Sequence, residues 1–214
     1  MIPAIKSNEI EREIFQRELN SFVPDKALDA HAHMWAGIPN QKNSAGLSPW
    51  IEEDMTIKLF RDLMEDLIPK RTIGGLMLAL PMGIHGMVNT SSNTVTLQAE
   101  HIAHETKSDP TCISTMFVSP KLDPDFIRQE VKRLHIGGLK CYHTESDRIP
   151  TTDSDIPEFL PEEFVRIADE FSMAITLHMV KPRAIADPSN QYWIRKYCNK
   201  YPNMKLILAH AARC

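Results

Sequence analysis

Six short apolar runs punctuate this chain of 214 residues, with a helix-forming stretch after each of the first five, and that alternation restricts the folds open to it. The runs lie at 26–34, 73–80, 112–118, 136–142, 173–178 and 205–210. Ile73-Gly74-Gly75-Leu76-Met77-Leu78-Ala79-Leu80 is apolar throughout, as strands covered on both faces of a parallel sheet are. Between the runs the spacing turns helical. Ile57, Phe60, Leu63, Met64 and Leu67 share one side of a stretch that Pro69 closes, and further helices are expected at 92–107, 123–134, 162–171 and 191–201. Asp123 caps the third of these, with Pro124 at its first helical position. Strands that alternate with helices imply parallel βα units. No Gly-x-Gly-x-x-Gly follows any run, which argues against a dinucleotide-binding sheet. Ahead of the repeats, Ile10, Ile14, Phe15, Leu19, Phe22 and Val23 form a helical stripe capped by Ser7 or Asn8. Residues 1–25 are therefore expected to be an accessory helix lying on the domain formed by 26–214.

Histidines mark the ends of three of these runs. Asp29, His31 and His33 alternate with Leu28, Ala30 and Ala32, so a regular strand would present both imidazoles on one face where the chain breaks into Trp35-Ala36-Gly37-Ile38-Pro39. His178 closes the fifth run and His210 the sixth. In a (β/α)8 barrel such strand ends meet at the C-terminal mouth, where active sites are built. In an open doubly wound sheet, strands one, five and six need not converge. The histidine pattern thus selects the barrel, and it brings together the imidazole nitrogens that suit a divalent metal. The run Leu206-Leu208-His210 suggests by alternation that His210 also points into the mouth.

Other candidates are weaker. Lys140 and Tyr142 share a face if strand four is regular; Lys181, Arg183 and Arg213 follow strand ends, so a carboxylate-bearing substrate is the expectation. His143, one step past Tyr142, should face away from the interior. His85 lies in a rim loop. His101 and His104 sit on an outer helix, and His135 precedes strand four on the opposite rim. The acidic loop 143–161 reads as a solvated connection, and the long segment 35–55, with Trp35 and Trp50, as a functional loop.

Composition sets the class. Hydrophobic residues make up 43% and charged residues 24%, as in a folded soluble domain, and 24 basic against 28 acidic residues leave no surplus for nucleic acid. No run approaches the ~20 apolar residues of a membrane span. Cys112, Cys141, Cys198 and Cys214 show no Cys-x-x-Cys spacing, and the N-terminus lacks a leader pattern, so a cytoplasmic protein is expected. The expected partner is a small-molecule substrate, with a homo-oligomer left open.

Asp29-Ala30-His31-Ala32-His33, Gly138-Leu139-Lys140, Thr176-Leu177-His178 and Leu208-Ala209-His210 resemble the successive strand-end motifs of the amidohydrolase superfamily. The nearest likeness is to its amidohydrolase-related branch, which includes lactonases and nonoxidative aromatic or semialdehyde decarboxylases, and it covers about residues 26–214. The resemblance implies an α/β (β/α)8 TIM-barrel-type metal-dependent hydrolase fold and a divalent ion, zinc first and manganese second. It implies His31, His33 and His178 as ligands, His210 as the group that polarises substrate or shuttles a proton, and Asp29 as a structural acid. Lys140, Tyr142 and Arg183 would contact the substrate. The expected reaction is attack of a metal-activated water on a lactone, amide or related carbonyl carbon. A nonoxidative decarboxylase and a non-catalytic metal-binding remnant are the alternatives. The family's remaining ligand is an aspartate ending strand eight, whereas this sequence stops four residues after His210. The expectation is a barrel truncated after strand six.

Overall fold

The structure, a computed structural model, describes residues 6–37, 53–80 and 90–213. The calls on His85, on Trp50 and on the middle of the 35–55 segment lie outside the described residues. Six strands, β1 (Lys26–Met34), β2 (Thr72–Ala79), β3 (Cys112–Phe117), β4 (Gly138–Tyr142), β5 (Ala174–His178) and β6 (Lys205–Leu208), form one sheet in the order β1-β2-β3-β4-β5-β6. Every pairing is parallel. Helices α2 (Ile57–Leu67), α3 (Ser92–Thr106), α4 (Pro124–Leu134), α5 (Glu162–Glu170) and α6 (Pro188–Lys200) connect them.

The sheet curls. In a flat sheet β1 and β6 would stand five strand spacings apart, about 24 Å. The rings of His31, on β1, and His210, just after β6, have centroids 4.8 Å apart. The six strands are thus the arc of a (β/α)8 barrel, as the strand–helix alternation together with the histidines at the strand ends predicts.

Register sorts the side chains. Residues paired in parallel strands share a face, so Phe117, Lys140, Thr176 and Ile207 line one side. Met116, Leu139, Ile175 and Leu206 line the other and pack beneath the helices. Ile102 of α3, Ile127 of α4, and Phe164 and Ile167 of α5 are at most 1% exposed in that layer. Each such side chain contributes roughly 1.5–3 kcal/mol of burial.

Three local readings need correction. The first strand is not regular: Asp29 pairs with Gly75 and His33 with Leu78, with a bulge between Asp29 and Ala32. Three steps on β1 therefore match two on β2. Asp29 falls in register with the layer of Met77, which faces the helices, and His33 with the inner layer of Leu78. On the neighbouring β2, a Cβ on Gly74 would sit 2.4 Å from the Thr111 carbonyl oxygen, a backbone atom, so that close approach requires glycine. Strand six ends at Leu208, two residues before His210. Its Leu206 and Leu208 pair with Ile175 and Leu177 on the helix side, so alternation would have carried His210 outward.

The acidic loop 143–161 is not a solvated connection. It coils into short turns at His143–Glu145, Thr151–Asp153 and Ile156–Glu158, and it buries Ile156, Phe159 and Leu160. These apolar residues, three and four positions apart, turn one side of the loop inward. The Tyr197 hydroxyl donates to the Leu160 carbonyl and pins it to α6.

At the N-terminus, α1 (Glu9–Ile14) starts with a capping box between Asn8 and Glu11 and runs into a wider π-type turn, Phe15–Leu19. Only Phe15 of its stripe is buried; Ile10 and Phe22 are exposed. Arg71 donates to the Asn20 and Val23 carbonyls, holding the segment against the start of β2.

Candidate active site

The inner-face ends of β1, β4 and β5 contribute rings and a charge to one cluster at the mouth. From β1, the rings of His31 and His33 lie 5.0 Å apart, edge to face. The bulge seats them: the His31 amide donates to Asp29 Oδ1 at 2.9 Å, so Asp29 closes an Asx-type turn. From β4, Lys140 is fully buried, its Nζ 3.5 Å from His31 Nε2 and 4.7 Å from the centre of the Tyr142 ring. From β5, His178 stacks on Tyr142 at 4.5 Å, as their register pairing dictates.

His210 joins by a different route. After Leu208 the backbone of His210, Ala211 and Ala212 is left-handed, with φ of 54°, 49° and 62°. That turn swings the imidazole inward, 4.8 Å from the His31 ring and 5.1 Å from the His178 ring. The convergence expected at the sequence level exists, although strand alternation is not its cause. His143, expected to face away, has its ring 5.7 Å from that of His178, because the chain turns as β4 ends.

The exit of β1 is braced by α3. Gln98 accepts from the Ala36 amide and donates to the Ala36 carbonyl; His101 Nε2 meets the Met55 carbonyl at 3.0 Å; Glu105 accepts from the Ile57 amide. The two stems also bond to each other, Met55 amide to Trp35 carbonyl. Among the described residues this is the work of His101, while His104 and His135 stand exposed away from the mouth. Gln98 was missed in the sequence, though a glutamine among apolar Val95, Ala99 and Ile102 was a signal.

Charge separates the cluster from solvent-like histidines. Burial, and then the Lys140 ammonium, lower His33 to about 3 and His31 to about 4, so both rings are neutral at pH 7. Burial lowers Lys140 to about 8. Among the described residues no carboxylate forms an ion pair with Lys140. Lys181, by contrast, is bound to Asp155 at 2.6 Å and faces Asp187, which takes it out of the substrate-contact set. Arg183 is exposed in the loop after β5, apart from the buried cluster.

The pair His31 and His33 suits a divalent metal ion in donor type, protonation and spacing, and His178 adds a third imidazole to the cluster. Two imidazoles on one tetrahedral ion, each with a metal–nitrogen distance near 2.1 Å, have centroids about 5 Å apart. Among the described residues no three donor atoms yet converge on one point. The ammonium of Lys140 stands against His31 Nε2, one of the nitrogens that would have to turn.

Among solved structures, the chain is similar to 4-oxalomesaconate hydratase from Rhodopseudomonas palustris, with a TM-score of 0.52 and 14% identity over 86% of this chain and 63% of that one. It is similar to 2,6-dihydroxybenzoate decarboxylase from Rhizobium, with a TM-score of 0.53 and 14% identity over 88% and 66%. It is similar also to a protein from Staphylococcus aureus assigned as an amidohydrolase, with a TM-score of 0.53 and 12% identity over 86% and 66%. The likeness is one of fold: the six strands and their helices follow part of the barrel that these structures share. No family model matches the sequence, and the search of curated proteins finds no match. The chain spans under two thirds of the length of each of these three structures. Hydratase, decarboxylase and amidohydrolase share this barrel, so the fold does not choose the reaction.

Proposed function

We propose that this barrel arc holds a divalent metal ion, zinc before manganese, on His31, His33 and His178, and catalyses hydrolysis at a carbonyl carbon of a small carboxylate-bearing molecule. One observation carries the reading: imidazoles from both edges of the sheet gather with ring centroids about 5 Å apart. When bound, the ion supplies Lewis acidity, polarising the carbonyl and lowering the pKa of water.

The chain's own groups do the rest. His210, beside His31 and His178, accepts a proton from the attacking water and returns it to the leaving group. Lys140 pairs with the substrate carboxylate, and Tyr142 forms the apolar wall against which the substrate lies. Arg183, out on the loop, meets an anionic substrate on the way in.

The short distance between Lys140 and His31 favours a second reading, in which the bound carboxylate itself leaves as carbon dioxide. Purified protein should take up close to one zinc or manganese per chain, and His31→Ala with His178→Ala should abolish it; unchanged metal content in the double variant removes the site. Base consumed in a pH-stat assay of lactones, or free amine released from amides, supports hydrolysis, carbon dioxide in the headspace supports decarboxylation, and metal uptake with none of these leaves a binding remnant.

A further inference from the structure

We infer that Tyr142 and His143 are positioning residues that set the plane of the His178 imidazole; the inference rests on the reading of His178 as a ligand. The pairing of Tyr142 with His178 fixes the backbone of His178 but leaves its ring free to rotate about two bonds. Three rings restrict it. Tyr142 lies nearly parallel at 4.5 Å and 24°, His143 nearly parallel at 5.7 Å and 27°, and His210 edge-on at 5.1 Å and 79°.

Both near-parallel rings are themselves held. Tyr142 is 5% exposed, with the Lys140 ammonium 4.7 Å from its ring centre and Phe117 6.1 Å away. His143 is 9% exposed, and its Nδ1 meets the Thr151 hydroxyl at 3.2 Å. The turn His143–Glu145 is what brings that ring to the mouth, since continued strand would have aimed it at the helices. Stacking against fixed rings does for His178 what an outer hydrogen-bonding partner does for many metal-bound histidines.

The test is zinc affinity by competition with a chromophoric chelator, together with the visible spectrum of the cobalt-loaded protein. Tyr142→Leu, which keeps apolar bulk without a ring, should weaken zinc by about 10–100-fold and alter the cobalt bands, the size expected when a ligand loses its outer support. Tyr142→Phe should stay within about threefold of the parent, because the ring and not the hydroxyl does the positioning. His143→Phe should likewise hold and His143→Ala fall. Wild-type affinity in both Tyr142→Leu and His143→Ala overturns the inference, as does a Phe variant as weak as the Leu variant. Should the parent bind no metal, the proposed function fails, and the positioning is read instead from the metal-free protein. An upfield ring-current shift of the His178 protons that survives Tyr142→Phe and vanishes in Tyr142→Leu supports it; no shift in the parent overturns it.

Discussion

The ammonium of Lys140 lies 3.5 Å from Nε2 of His31 inside the mouth of the barrel, and among the described residues no carboxylate offsets its charge. A buried cation without a counter-charge costs stability and repels protons from its neighbours. Lys140→Met should therefore raise the unfolding free energy of the metal-free protein by about 1–3 kcal/mol. It should also move the His31 pKa from about 4 part of the way back toward 6.5, because burial, the larger cause, remains. Ring-proton titration by NMR reads the shift, and an unmoved His31 refutes the charge coupling.

The same histidines make metal-free stability depend on pH. Their folded pKa values, about 4 and about 3, lie below the ordinary 6.5, so the unfolded chain takes protons first as the solution is acidified. Their contribution to stability is complete above about pH 6.5 and falls as the pH drops toward 4. The slope is about 1.4 kcal/mol per pH unit for each ring. Asp155 and Glu130, which also have lowered values, act only below the carboxylate range and leave the interval from 6.5 to 5 to the imidazoles. Urea unfolding at pH 7, 6 and 5 should show the slope, and His33→Asn should remove about half of it.

Asp29 offers a sharp distinction between ligand and brace. Its Oδ1 accepts from the His31 amide, a bond that Asp29→Asn can keep and Asp29→Ala cannot. The Asn variant should retain the parent's zinc affinity, while the Ala variant loses about 1 kcal/mol of stability. Zinc loss in the Asn variant would mean that the carboxylate charge itself serves the metal.

The turn that delivers His210 is costly for alanine. Ala211 and Ala212 sit at φ of 49° and 62°, where an L-residue with a Cβ pays roughly 1–2 kcal/mol. Ala211→Gly should stabilise the protein by up to about 1 kcal/mol, after allowing for the freedom glycine adds to the unfolded chain. A lower melting temperature in calorimetry would contradict the left-handed assignment.

His210 should separate proton transfer from ligation. His210→Asn is expected to keep the metal and lose roughly 10²–10⁴ in turnover of whichever substrate the pH-stat assay finds. Metal lost in parallel would make His210 a ligand.

Much of this architecture is written in local pattern. The apolar runs and the prolines and glycines between them place all six strands to within two residues, because a buried parallel strand demands a continuous apolar stretch. His31, His33 and His178 are legible as strand ends for the same reason. The misread positions are those where the backbone departs from period two. The bulge at Asp29 changes the layer in which that residue pairs, and no glycine announces the left-handed turn at His210. The burial of Lys140 was equally opaque, since a lysine at a strand end can extend to water as readily as inward. Ile156, Phe159 and Leu160 were visible as an apolar set but were outvoted by the acidic residues around them.

Helix α3 holds both stems of the β1–α2 connection, Ala36 through Gln98 and Ile57 through Glu105. The span between the stems is thereby set by a helix that belongs to the barrel wall, not by the intervening sequence. Changing the length of that sequence alters its closure entropy only logarithmically, by about 0.6 kcal/mol per doubling. The histidines of β1 would not register the change. Whole segments of different length can then be exchanged at this position, as a cassette, while the imidazoles of β1 keep their places.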